Sequence, residues 1–247
     1  MRFLLYNIRY GTGGRRRRLP ISGYFRRTAE NMGRMLTFMK NMAPDLVGLV
    51  EVDAGSYRSG HRNQAQWLAD HLGHYHTYRS KYAERSAHRF LPVLNKQGNA
   101  FLARDTVHGE RFHYFDKGMK RLVIELELEH LTVFLVHLAL GFRVRHTQLA
   151  DLYALVRETT KPHLVAGDFN ALWGEREMKL FQAATRLRSA NTDNAATFPS
   201  WAPRRQLDFI LYSPGIHIQR FWMPPVTYSD HLPLLCDFNV NAEEVKQ

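Results

Sequence analysis

The sequence contains a single cysteine among its 247 residues. One cysteine excludes an intramolecular disulfide, and the sequence also has no CxxC or HxxxH arrangement of the kind that holds structural zinc. Cys236 lies within the apolar run LPLLCDF, which predicts a buried thiol rather than an activated nucleophile. So little cysteine fits a reducing compartment, and we therefore expect a cytoplasmic protein.

Long hydrophobic runs are also missing. The longest apolar stretch falls far short of the ~20 residues that a membrane span requires, and the one in MRFLLYNIRY is too short for a secretory signal. No Pro- or Gly-rich linker divides the chain. We therefore expect one domain over residues 1–240, a C-terminal tail over 241–247, no transmembrane segment and a monomeric protein.

The sequence does contain six short segments in which an apolar run adjoins polar residues able to bind a metal or a phosphate. Apolar runs of four to eight residues bounded by turn formers predict buried strands, and the catalytic groups of sheet-based enzymes collect at strand ends. Carboxylates, amides and imidazoles together suit Mg²⁺ or Mn²⁺ and a phosphate. The pattern therefore predicts an enzyme that cleaves phosphate esters. The residues are Asn7, Glu51, His137, Asp168, Asn170, Asp208, Asp230 and His231.

Predicted helices separate these strands. Apolar residues recur at helical spacing over residues 25–39, 65–72 and 149–156, with the first helix ending before Pro44 and the second at Gly73. Over residues 124–129 leucine and isoleucine alternate with glutamate, which predicts a half-exposed strand with residues 132–136 antiparallel beside it. The periodicity alone indicates a mixed α/β fold.

In order and spacing, these segments resemble the endonuclease/exonuclease/phosphatase (DNase I-like) superfamily. The matching motifs are YNIRYG, PDLVGLVEVD, GNA before FLAR, VHLAL, GDFNAL, QLDFIL and SDHLPL. The resemblance extends from residue 1 to about residue 240. It implies a four-layer α/β/β/α sandwich, in which two mixed sheets pack face to face with helices outside. GDFN followed by SDH is specific for the superfamily and says almost nothing about the substrate.

The resemblance and the residue chemistry together suggest a role for each motif residue. Glu51 is the first candidate for a metal ligand, with Asn7 beside it and Asp230 as a further contributor. By resemblance, Asp168 would orient or deprotonate the attacking water, and Asn170 would donate a hydrogen bond to the phosphate. Phe169, between them, would point into the core.

Two histidines complete the predicted site. His231 would act as a general acid or base or as a hydrogen-bond donor. Asp208 would fix the tautomer of His231 and raise its pKa. This role places Asp208 across the site from Asp168. His137 would be a second phosphate donor on the opposite flank. Asn99, in GNA, is a further predicted phosphate contact.

The chain departs from the superfamily pattern at two points. Several members carry an acid two residues after the first asparagine, where this chain has Arg9, which we expect to contact the substrate. The tyrosine or glutamate contact that members carry in mid-chain has no assignable counterpart between Tyr82 and Asn99.

Basic residues outnumber acidic ones by 34 to 23, and a net charge of +11 attracts polyanions. Residues 15–18 are all arginine and follow the Asn7 strand, so they would guide a substrate, although a merely solvated basic loop has the same composition.

A nuclease would use Arg15, Arg16, Arg17 and Arg18 with aromatics such as Trp201 on nucleic acid, and is slightly favoured by the resemblance. The alternative is a phospholipid or lipid-headgroup phosphodiesterase or phosphatase, peripheral to an anionic membrane, with Leu19, Ile21, Tyr24 and Phe25 in the interface. A catalytically inactive binding protein is disfavoured because the core motifs are intact.

Overall fold

A computed structural model of the protein describes residues 1–14, 28–80, 96–118, 120, 122–172 and 176–241. These ranges contain twelve strands and four α-helices. In chain order the elements are β1 (Arg2–Asn7), α1 (Ala29–Met42), β2 (Leu46–Asp53), α2 (Gln64–Leu72), β3 (Tyr75–Ser80), β4 (Gln97–Ala103), β5 (Gly109–Tyr114), β6 (Leu122–Glu127), β7 (Thr132–His137), α3 (Phe142–Arg157), β8 (His163–Asp168), α4 (Arg176–Thr185), β9 (Arg188–Ser189), β10 (Asp208–Tyr212), β11 (Ile216–Trp222) and β12 (Leu234–Val240).

The strands form two six-stranded mixed sheets. Their orders are β11-β12-β1-β2-β4-β3 and β5-β6-β7-β8-β10-β9. Each sheet has one parallel pair at its centre, β1 with β2 and β7 with β8, and every other pairing is antiparallel. The predicted antiparallel pairing of residues 132–136 with β6 is confirmed. A helix connects each parallel pair, α1 in the first sheet and α3 in the second, as a parallel crossover requires.

Three apolar clusters define four layers. The inner faces of both sheets pack against each other through side chains such as Phe3, Phe101, Ile124 and Leu135. A second cluster joins the outer face of the first sheet to α1 and α2, and a third joins the outer face of the second sheet to α3 and α4. Burying each Leu, Ile or Phe in these layers contributes about 1.5–3 kcal/mol. The predicted α/β/β/α sandwich is confirmed.

The predicted helices are present with adjusted ends. Helix α1 begins at Ala29, and Phe25, the first residue of the predicted helix, lies outside the described residues. Helix α2 follows the N-cap Asn63, whose side chain accepts hydrogen bonds from the amides of Ala65 and Gln66. As predicted, Gly73 closes the helix, with φ 69°. Helix α4 was not predicted from the sequence.

The prediction of a half-exposed strand over residues 124–129 is wrong in two respects. Strand β6 ends at Glu127, and Glu125 is buried, at 7% exposure of the residue. Its carboxylate accepts a hydrogen bond from Arg111 (3.1 Å) and pairs with His113 Nε2 (2.7 Å) on the neighbouring β5. A buried acid persists where partners replace its water.

Two further features concern the single cysteine and the helices. Cys236 is fully buried, as its apolar run predicted, and burial raises the pKa of its thiol to about 12. Among the described residues, no helix combines the length and apolar character that a membrane span requires.

Candidate active site

The predicted site residues that the structure describes meet at one edge of the sandwich, where the central parallel strands of both sheets end. Asn7 is the last residue of β1, and His137 and Asp168 are the last residues of β7 and β8, paired with each other in register. The Nδ2 of Asn7 donates a hydrogen bond of 3.0 Å to Asp168 Oδ2, which joins the two sheets at this point. Parallel strands from two packed sheets therefore bring distant motifs together.

Asp168 is the centre of this arrangement. It is 2% exposed, and its Oδ1 accepts a hydrogen bond of 3.0 Å from the amide of Asn170. Its Oδ2 lies 3.4 Å from His137 Nε2 and 3.9 Å from His231 Nε2. Burial raises the pKa of Asp168 to about 6, and the nearby charge of His231 opposes that rise. A buried carboxyl group beside two imidazoles is suited to accept a proton.

His231 is held by Asp208. Its Nδ1 lies 2.8 Å from Asp208 Oδ2, and the same oxygen accepts a hydrogen bond of 2.6 Å from Thr197 Oγ1. Burial lowers the pKa of His231, but the carboxylates of Asp208 and Asp168 outweigh it and raise that pKa to about 10. An imidazole with a pKa in this range is protonated at neutral pH.

The prediction that Asp208 lies across the site from Asp168 is wrong. Asp208 begins β10, which runs antiparallel to β8, and the two aspartates are direct cross-strand partners. Together with His231 they form a buried group whose potential ligand atoms all lie within 4.8 Å of one another. Antiparallel pairing brings the start of one strand to the end of its neighbour, so both acids face the same edge.

Glu51 enters the site through a β-bulge. Its backbone has a positive φ of 58°, and the β2–β4 register shifts here, so that Val50 and Glu51 together face Asn99. The amide of Glu51 donates to Asn99 Oδ1 (3.4 Å), and its Oε1 lies 3.7 Å from His137 Nε2. A bulge of this kind re-aims a side chain at the cost of local strain, which is typical of functional sites.

Asn99 and Asn170 have different surroundings within the site. Asn99 is buried, and no described residue accepts a hydrogen bond from its Nδ2. Asn170, like Glu51, has a positive φ, of 51°. Its Nδ2 donates one hydrogen bond to the carbonyl of Leu138 (2.8 Å), and the second N–H of that amide is left for another acceptor. The predicted core position of Phe169 is confirmed.

Arg9 and Asp230 form an ion pair at the rim. Arg9 Nε lies 3.3 Å from Asp230 Oδ2, and the Arg9 amide donates to Asn7 Oδ1 (3.1 Å). Burial raises the pKa of Asp230, while the charges of His231 and Arg9 oppose the rise. The pair connects the segment after β1 with the segment that carries His231.

Several predicted substrate contacts lie outside the described residues. These are the arginines at 15–18, the apolar residues at 19–25 and most of the stretch between Tyr82 and Asn99.

The sequence patterns did not predict Lys120, whose Nζ contacts His137 Nε2 and lies 3.9 Å from Glu51 Oε1. Lys120 belongs to no motif and precedes β6 in a segment without periodicity, so no sequence signal marked it.

The chemistry of the donor set fits a hard divalent cation. The described site offers the carboxylates of Glu51, Asp168 and Asp208, the amide of Asn7 and imidazole nitrogens, without a thiol. Oxygen-rich sets of this kind suit Mg²⁺ or Mn²⁺ rather than soft metals. The Oδ2 of Asp208 is already occupied by Thr197 and His231. The Oδ1 of Asn7 likewise accepts a hydrogen bond from the Arg9 amide. On this ground Glu51 is the preferred metal ligand, and the participation of Asn7 stays a prediction.

Comparison with known proteins agrees with this geometry. Residues 4–231 match the model of the Endonuclease/Exonuclease/phosphatase family. The chain therefore belongs to this family and has the fold of its phosphoesterases, whose members typically depend on a divalent metal ion.

Individual relatives are more distant. A UPF0294 protein of Vibrio vulnificus (strain YJ016) is 32% identical over 114 residues, which cover 44% of this chain and 38% of that protein. The match thus spans less than half of the relative's length. The human Nocturnin catalytic domain with bound sulfate anion has a TM-score of 0.67 at 21% identity, covering 98% of this chain and 93% of that one. The mannosyl-6-phosphatase Bt3783 of Bacteroides thetaiotaomicron VPI-5482 has a TM-score of 0.71 at 13% identity, covering 97% and 99%. At these identities the structures show a shared fold.

Proposed function

We propose that this protein is a Mg²⁺- or Mn²⁺-dependent phosphodiesterase that cleaves nucleic acid by attack of water on phosphorus. The main support is the position of Asp168, a buried acid that lies within 4 Å of both His137 and His231 and is bound by Asn7 from the opposite sheet. A proton acceptor between two potential donors matches the needs of phosphate-ester hydrolysis.

Glu51 and Asn7 would hold the metal ion, with Asp230 as a further contributor, and the bound ion would neutralise charge on a phosphate oxygen. The bulge at Glu51 supports this assignment, because it turns the carboxylate toward His137 and Asp168 instead of along the sheet face.

The remaining residues would divide the proton transfers and the binding of the phosphate. Asp168 accepts a proton from the attacking water as the new P–O bond forms. His231, protonated and held by Asp208, donates its Nε2 proton to the leaving oxygen as the old P–O bond breaks. Asn170, Asn99 and His137 donate hydrogen bonds to the nonbridging oxygens, which gain charge in the transition state.

Glu51→Gln is expected to weaken Mg²⁺ binding by about 10-fold or more, because an amide binds a hard cation less strongly than a carboxylate does. Calorimetric titration of Mg²⁺ into the metal-free protein measures this affinity, and circular dichroism should show an unchanged fold. Glu129→Gln is the matched control, since its side chain is 73% exposed. Unchanged Mg²⁺ affinity in Glu51→Gln would remove Glu51 from the metal site.

The net charge of +11 supports a polyanionic substrate. The sulfate bound by Nocturnin and the phosphomonoester activity named for Bt3783 show only that relatives of this fold bind tetrahedral anions or act on phosphate esters. The apolar residues that interrupt the arginines in RRRRLPISGYFRR favour the second candidate, a phosphodiesterase or phosphatase acting on lipid headgroups at an anionic membrane surface.

A substrate panel tests the proposal and separates the two candidates. We expect hydrolysis of bis(p-nitrophenyl) phosphate and of single- or double-stranded oligonucleotides with Mg²⁺ or Mn²⁺, and none with excess chelator. Replacing residues 15–18 by serine should weaken oligonucleotide binding and flatten its dependence on log salt by up to ~0.9 per lost phosphate contact on duplex. Cleavage of phospholipid in anionic vesicles, but not of oligonucleotides, would select the lipid candidate. Hydrolysis of no phosphoester with either metal would refute both.

A further inference from the structure

Lys120 lies among the acids of the site although it belongs to none of the sequence motifs. Its Nζ contacts His137 Nε2 and lies 3.9 Å from Glu51 Oε1. The side chain is 20% exposed, so the ammonium group lies at the boundary between the buried carboxylates and the solvent. A lysine in this place can reach both the protein's acids and a ligand that approaches from the solvent.

The backbone around Lys120 is fixed by Gln148 of helix α3. Gln148 is fully buried, and its Nε2 donates to the carbonyls of Lys117 (3.0 Å) and Lys120 (2.6 Å). Its Oε1 accepts a hydrogen bond of 2.8 Å from the amide of Ala139, two residues after His137. One side chain therefore ties the segment that carries Lys120 to the segment that follows His137.

Gly118 allows this segment to approach α3 closely. Its φ is 99°, and a Cβ at this position would lie 2.8 Å from Val144 Cγ1 and 2.9 Å from Gln148 Nε2. A side chain here would therefore push the segment away from Gln148, in a backbone conformation that L-residues rarely adopt. Residue 118 and residue 148 act on the same piece of backbone, so each offers an independent way to displace Lys120.

The charges of the described site suggest a reason for this construction. The other cation that we have described there, Arg9, faces Asp230 at the rim. The predicted phosphate contacts, Asn99, Asn170 and His137, are amides and an imidazole, whereas a charged donor forms stronger hydrogen bonds to a phosphate. An ammonium group that lies beside Glu51 and His137 is placed to meet an anion bound between them.

We propose that Lys120 binds a nonbridging oxygen of the substrate's phosphate, and that Gln148 is a positioning residue that holds Lys120 for this contact. The proposal rests on the proposed phosphodiesterase function. It assigns a phosphate-binding role to a residue outside the motifs, and a supporting role to a side chain that does not itself reach the site.

Lys120→Met is expected to weaken binding of inorganic phosphate at saturating Mg²⁺ by about 10-fold or more, and to raise KM for bis(p-nitrophenyl) phosphate, because a charge-assisted hydrogen bond is lost. Lys120→Arg should restore most of the affinity. Lys117→Met is the matched control, since it removes an exposed lysine from the same segment.

Calorimetry with phosphate and steady-state kinetics distinguish the possible failures. If the wild-type protein hydrolyses the diester and Lys120→Met binds phosphate as tightly as wild type, the role of Lys120 is refuted. If Lys120→Met changes the affinity for Mg²⁺ but not the affinity for phosphate, the lysine only neutralises the charge of neighbouring carboxylates such as Glu51. That result also overturns the proposal. If the wild-type protein hydrolyses no phosphoester, the proposed function fails instead.

Gln148→Met keeps the size of the side chain and removes all three hydrogen bonds, so it should weaken phosphate binding as Lys120→Met does. Lys120→Met combined with Gln148→Met should bind phosphate no more weakly than Lys120→Met alone, because both changes act through the same contact. Additive losses would refute the positioning role. Should Gln148→Met fail to fold by circular dichroism, Gly118→Ala provides the same comparison, and normal phosphate binding in that variant would count against the proposal.

Discussion

Asp168→Asn is expected to lower the turnover of a phosphodiester by at least ~100-fold, because asparagine cannot accept the proton of the attacking water. The residue is buried between His137 and His231, and no other described carboxylate lies close to both imidazoles in the same way. The loss should appear in kcat more than in KM, since the substrate's phosphate still has its hydrogen-bond donors.

The melting temperature of Asp168→Asn should change little, because two effects oppose each other. An asparagine keeps only one of the oxygens that accept from Asn7 and Asn170, which leaves one buried donor poorly paired and costs about 1–3 kcal/mol. It also removes a buried negative charge, and the burial of that charge is the main reason why the pKa of Asp168 is raised. Asp193→Asn, at an exposed position, is the control. Full activity in Asp168→Asn would refute its assignment as the base.

Much of the fold was predictable because its central strands are short, mainly apolar runs. Buried parallel strands such as β1 and β8 are covered on both faces, so their sequences RFLLYN and HLVAGD contain polar residues mainly at the ends. The same property marked Asn7 and Asp168 as site candidates. Where an apolar run ends, the chain leaves the core, and a polar side chain there faces the edge of the sheet.

Features that depend on pairing between distant segments could not be predicted. The position of Asp208 beside Asp168 follows from the antiparallel register of β10 on β8, which no local pattern specifies. The burial of Glu125 depends on partners from β5. The bulge at Glu51 occurs in LVGLVEVD without a glycine at the residue with positive φ. Lys120 is placed in the site by hydrogen bonds from Gln148, 28 residues further along the chain.

His231 and Asp208 should behave as one catalytic unit. His231→Ala is expected to lower turnover by at least ~100-fold, because it removes the proton donor to the leaving oxygen. Asp208→Asn should cause a similar loss, since the carboxylate at 2.8 Å is what keeps the imidazole protonated and oriented. The double variant should be no slower than His231→Ala alone, because Asp208 acts through His231. Losses that multiply in the double variant would assign Asp208 a separate role.

The protonation of His231 gives a readout that is independent of activity. Its pKa is raised to about 10, so NMR should detect an imidazolium through neutral pH in protein prepared without metal, and Asp208→Asn should lower that pKa markedly.

The same pKa predicts how stability depends on pH. Because the folded-state pKa exceeds the unfolded value of about 6.5, protonated His231 stabilises the fold fully below pH ~6.5 and progressively less as the pH rises through about 10. The free energy of unfolding of the wild type should therefore fall over this pH range more steeply than that of His231→Ala. His130→Ala, at a position 63% exposed, is the control and should follow the wild type. Equal slopes for wild type and His231→Ala would show that His231 is not held as an imidazolium by Asp208.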